Sequence, residues 1–115
     1  MKTADIMQLD CRIPENRETI QKVLRQIKPL AKCPDGQDIP MDKLERCFKV
    51  LCERYGYWST LHPDTNANDK HIVWRLSLFK ETERTSSGSN MWGISVYEVL
   101  SKAVILMYSK VRRKA

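Results

Sequence analysis

The residues with the strongest claim to chemistry lie between Ser59 and Arg75, where hydroxyl, imidazole, carboxylate and amide groups share one polar stretch. Asp64, Asn66 and Asn68 alternate like the first half of a calcium loop, in which oxygen ligands wrap the ion before a Gly turn and a distant bidentate Glu. The match then fails, because Asp69 stands at the Gly position and Arg75 at the Glu position, a cation where the ion most needs a carboxylate. A hydrogen-bonded turn is the expected structure there. Ser59, His62 and Asp64 have the residue types of a hydrolytic triad but no nucleophile elbow and no oxyanion-forming Gly turn. Zinc fingers use close Cys or His pairs, whereas Cys47 and Cys52 are five apart on an apolar helical face and His62 and His71 bracket a loop; a mixed site of Cys33, His62 and His71 lacks such spacing too. Glu81 and Glu83 lie in a polar stretch where burial would not shift them. Four scattered Gly build no phosphate loop. No catalytic residue, metal or cofactor is expected, and the chain reads as a non-enzyme.

Binding chemistry has more support. Arg17, Lys22, Arg25, Lys28 and Lys32 lie on or just after one helix, and Lys110, Arg112, Arg113 and Lys114 end another. Both groups could meet phosphates, RNA or an acidic partner. Yet Glu15, Glu18, Asp35 and Asp38 flank the first group, and the second also complements a helix C-terminus. The formal charge is +6, and the four cations at the end supply +4 of it. Trp58, Trp74 and Trp92 could stack on bases, although at these spacings they equally serve as core or interface anchors. Trp92 precedes a rigid helix and is the expected partner contact.

Three helices and two or three strands must position these groups. Ile20, Val23, Leu24 and Ile27 recur at helical spacing over Asn16 to Lys28, with Pro14 at the start and Pro29 as the stop. Cys33-Pro34-Asp35-Gly36-Gln37-Asp38 is turn chemistry. Leu44, Cys47, Phe48, Leu51 and Tyr55 share one face of a helix over Met41 to Tyr55, with Gly56 as its cap. Tyr57 to Leu61 and His71 to Lys80 read as strands, joined by a polar loop over His62 to Lys70. Ser95-Val96-Tyr97-Glu98 fits a capping box, and an apolar stripe from Val96 to Val111 follows, with Ser101 and Lys102 on its narrow solvent side.

The fold expected is α+β: two N-terminal helices, a small antiparallel sheet and one C-terminal helix, in one domain over residues 1–115. Residues 1–12 read as a leader and 81–91 as a loop. A two-stranded sheet is weak, so Lys2 to Leu9 or Met91 to Ile94 should add a strand, or a second copy of the chain should extend it as a homodimer. The first residues are too polar for a signal peptide and no apolar run spans a membrane, so the expected location is cytoplasmic, with all four Cys as thiols.

Glu15-Asn16-Arg17 leading into Gln21-Lys22-Val23-Leu24-Arg25, with Trp92 and the helix Val96-Tyr97-Glu98-Val99-Leu100-Ser101-Lys102-Ala103, resembles small phage- and prophage-encoded proteins of Gram-positive bacteria. The resemblance implies a host-directed or genome-maintenance binding role and carries over no functional residues. The expectation is a small protein-binding module, an inhibitor or adaptor acting through Trp92 and the C-terminal cations. The alternative is a DNA- or RNA-binding module using the cations of the first helix and the basic end.

Overall fold

The computed structural model describes residues 2–34, 36–65, 72–80 and 89–114. In chain order these form α1 (Thr3–Met7), α2 (Pro14–Leu24), a 3-10 turn (Lys28–Leu30), α3 (Met41–Tyr55), β1 (Tyr57–Thr65), β2 (Ile72–Lys80), β3 (Ser89–Gly93) and α4 (Val96–Lys114). The strands make one antiparallel sheet in the order β1-β2-β3. This is the expected α+β arrangement with one more N-terminal helix.

α4 is the hub. It packs against α1, α2 and α3 on one side and against β2 and β3 on the other, and every residue from Glu98 to Ile105 is buried. Ser101 and Lys102 are therefore not on a solvent side. The Ser101 hydroxyl donates to the Tyr97 carbonyl at 2.8 Å, which satisfies it without water. Leu24, Leu44, Leu76, Met91, Val99 and Met107 fill the core around this helix, so the sheet has one face against α4 and one away from it.

Several boundaries differ from the sequence reading for identifiable reasons. The leader contains α1, whose Ile6 is buried in the core. α2 ends at Leu24 rather than Lys28, because Pro29 has no N–H for the Arg25 carbonyl and its ring would crowd it; the chain restarts as the 3-10 turn, with Pro29 inside it. α3 has the expected bounds, and Gly56 closes it with φ 73° and ψ 35°, its N–H bonded to the Cys52 carbonyl. β1 runs four residues beyond Leu61, through Pro63 to Thr65, where a polar loop was expected. Pro63 is tolerated because β1 is an edge strand with only one neighbour to donate to. Of the two candidates for a third strand, the segment before α4 supplies it, beginning at Ser89, within the stretch read as a loop. The remainder of that loop, 81–88, lies outside the described residues.

Candidate binding face

The site is the face of the sheet turned away from α4. Strand alternation puts every second residue on each face, and Leu76, Leu78 and Met91 are buried on the inner one. The register then fixes four rows on the outer face, the last being Asp64 opposite Val73. Trp58 pairs with Phe79; Thr60, Ser77 and Asn90 align; and His62, Arg75 and Trp92 align. The first three rows hold no carboxylate, and Asp64 brings one to the fourth.

The first row is an aromatic stack. The Trp58 and Phe79 rings lie 4.2 Å apart at 19°, and Trp58 is 48% exposed. In the third row Trp92 is 46% exposed, so it is not a core anchor. Trp74, one residue off this parity, packs against the core instead. Two strand spacings and four residues of rise separate Trp58 from Trp92 by ~16 Å. The face therefore carries two aromatic platforms.

Between the platforms the polar groups are held in fixed orientations. Arg75 Nε donates to His62 Nε2 at 2.8 Å, and a terminal guanidinium nitrogen reaches the same atom. The Ser77 hydroxyl donates to Asn90 Oδ1 at 2.6 Å. Ser59 sits on the opposite parity of β1 from His62, so the triad residue types are not brought together. Asp64 and Thr65 continue the strand, and the rest of the calcium-like segment, with His71, Glu81 and Glu83, lies outside the described residues. Among the described residues no group of three His, Cys, Asp or Glu is placed to hold a metal ion.

Three of the thiols, Cys11, Cys47 and Cys52, are poor nucleophiles. Burial, then the Glu98 carboxylate, pushes Cys11 up to about 12, burial and Glu53 push Cys52 up to about 11, and burial raises Cys47. Nucleophilic and metal-binding cysteines need the thiolate, which these environments disfavour.

The basic residues fall into two sets. On α2, Arg17 pairs with Asp38 at 3.4 Å, and Arg25 donates to the carbonyls of Pro34, at 2.9 Å, and Gln37. These two cations fasten the helix to the turn before α3. Lys22, Lys28 and Lys32 are exposed, on elements remote from the aromatic rows. Lys110 is exposed and lines a groove of about 850 Å³ between β3, α1 and α4, along with Ser89, Asn90 and Trp92. α4 continues to Lys114, so the backbone carrying Arg112, Arg113 and Lys114 leaves beside the start of β3; their side chains lie outside the described residues.

Behind β3 a buried ion pair ties the sheet to the N-terminal segment. Lys102 Nζ lies 3.7 Å from Glu98 Oε2, with both side chains under 5% exposed. Lys102 donates to the carbonyls of Leu9 at 2.7 Å and Trp92 at 2.9 Å, while Glu98 accepts from the N–H groups of Cys11 and Ile94, each at 2.9 Å. The capping box is thus half formed. Ser95 Oγ accepts from the Glu98 N–H at 3.2 Å, but the Glu98 carboxylate is drawn to these amides. Gly93 makes room for it, since a Cβ there would stand 1.8 Å from Glu98 Oε2. Sequence reasoning put Glu98 in a capping box and Lys102 on a solvent side, and missed their buried pairing because their further partners are backbone groups that leave no residue signature. The row residues His62, Arg75 and Asn90 had a signal in strand parity, but it becomes usable only once the register is known.

Among the described residues no helix is long and apolar enough to cross a membrane. Comparison with protein-family models, with curated proteins and with solved structures found no match to this chain.

Proposed function

We propose that this chain is a non-enzymatic binding module whose working surface is the open face of the sheet, and that its ligand is single-stranded nucleic acid. The observation that carries the reading is a face with two exposed Trp residues and Arg75 between them, its one carboxylate, Asp64, lying in the row beyond. Bases stack on aromatic rings whatever their sequence, and cations beside the rings meet the phosphates. The net charge of +6 favours a polyanion over an acidic or neutral surface of similar shape. Lys110, which lines the groove with Trp92, adds a cation at the margin of the same face.

The test is fluorescence titration of a ~12-nucleotide DNA or RNA strand at low salt, within the site sizes such folds use. Trp58→Ala and Trp92→Ala should each weaken binding by about 1–3 kcal/mol, the value of one base–aromatic stack. Affinity should fall steeply with added salt, and more gently in Arg75→Ala. Absence of binding at low salt sinks the proposal.

A second reading, a protein partner, is favoured by the groove beside β3, where Trp92 and Ile94 are 46% and 43% exposed. Trp at the rim of a groove is a common interface anchor. Crosslinking in which Trp92→Ala abolishes a protein adduct while oligonucleotide binding by wild type is absent would select that reading.

A further inference from the structure

We propose that the open face selects among bases, preferring keto bases (thymine, uracil, guanine) over the amino bases adenine and cytosine; this rests on the nucleic-acid reading above. The argument comes from which hydrogen-bonding roles the fold leaves available on the polar strip between the two Trp platforms.

Arg75 can only donate. Since its Nε and a terminal nitrogen both point at His62 Nε2, that ring nitrogen is the acceptor and the imidazole proton of the neutral ring sits on Nδ1. His62 therefore presents a donor at its other edge. Asn90 could in principle present either its oxygen or its NH2 group, but the Ser77 hydroxyl donates to Oδ1 at 2.6 Å. The oxygen is engaged and the exposed end of Asn90 is its NH2 group. Arg75, His62 and Asn90 thus all offer N–H. In these rows the buried Ser77 hydroxyl, its proton committed to Asn90, can only accept, and the Thr60 hydroxyl can take either role; the Asp64 carboxylate lies one row beyond the strip.

Bases differ at the exocyclic group that such a strip would meet. Guanine O6 and thymine or uracil O4 accept, whereas adenine N6 and cytosine N4 carry N–H2 donors. A keto oxygen against this strip gains hydrogen bonds, and an amino group meets donors it cannot pair with. Phosphates also accept from these groups, but they are common to every strand and cancel in a comparison between sequences.

The experiment compares the full-length protein on ~12-nucleotide dT, dA and dC strands in one buffer, with Asn90→Asp and Ser77→Ala alongside. Wild type should bind dT about tenfold tighter than dA or dC, the scale of one good base contact. Asn90→Asp replaces the NH2 donor by an acceptor oxygen. It weakens all three strands through its charge, but it should also collapse the dT-over-dA ratio by several-fold. Ser77→Ala frees the amide to flip and should relax the ratio with little change in dT affinity. Circular dichroism confirms that both variants fold, and the ratio, unlike the absolute affinity, does not move with a merely structural defect. Equal affinity for dT, dA and dC, or a ratio unchanged in Asn90→Asp, overturns the selectivity while leaving the binding face standing. No binding of any strand overturns both.

Discussion

The molecule holds two clusters of charged and polar side chains, one behind β3 and one on the outer face of the sheet, and they are built on opposite principles. Behind β3, Glu98 and Lys102 are almost completely buried, and each ion meets its partner and two backbone groups. On the outer face, Arg75 donates to His62 and Ser77 to Asn90, with His62 and Arg75 half-buried and Asn90 exposed. Buried ions are tolerated only when their hydrogen-bonding capacity is filled from within the protein. The inner cluster is saturated and therefore structural. The outer one is oriented but unsaturated, which is what a recognition surface needs.

The largest effect should come from breaking the inner cluster on one side. Lys102→Ala leaves Glu98 buried without its cation and should destabilise by about 3–5 kcal/mol in denaturant unfolding, and the double variant Glu98→Gln, Lys102→Met should lose less than the single one. A double variant no better than the single would mean that the carbonyl contacts of Lys102 matter more than the charge. Gly93→Ala follows at about 1–3 kcal/mol, since the added methyl drives the Glu98 carboxylate from its amides. On the outer face the order reverses. Trp58→Ala should lower stability by only about 0.5–1.5 kcal/mol, the worth of an aromatic pair, while abolishing most oligonucleotide affinity.

The smallest effect tests the margin of the inner cluster through pH. Cys11, whose N–H bonds Glu98, holds its thiol proton up to about 12 against an ordinary 9.0. The folded state therefore binds more protons than the unfolded one between these values. The stability this contributes is fully present below about 9 and is lost as pH rises toward 12. The difference in denaturant midpoint between wild type and Cys11→Ala should shift against wild type over that window. No shift would show that Cys11 is ionised equally in both states.

The outer scaffold was largely legible in the sequence. The Leu44, Cys47, Phe48 and Leu51 spacing and the Gly56 stop defined α3 to the residue, and the alternation of Ile72 to Lys80 defined β2. Those signals are local, set by chain period and by one residue that tolerates a left-handed backbone. α1 was missed because five residues with no side-chain cap leave too short a pattern. Lys102 was misplaced because its two carbonyl acceptors are 93 and 10 residues away, and periodicity reports which side of a helix is apolar but not how a polar residue is satisfied there. Trp92, expected as a partner contact, is 46% exposed. Its neighbours His62 and Arg75 became a unit only through the β1–β2 register, which brings residues 13 apart into contact.

The ion pair behind β3 also bears on what can happen at the rim of the sheet. Edge strands invite other strands because their amides and carbonyls are vacant on one side. At the end of β3 the Trp92 carbonyl and the Ile94 N–H are already held by Lys102 and Glu98, and on the far rim Pro63 has no N–H to give. An incoming strand would find a truncated ladder on either side. At these positions an added strand would forgo ladder hydrogen bonds.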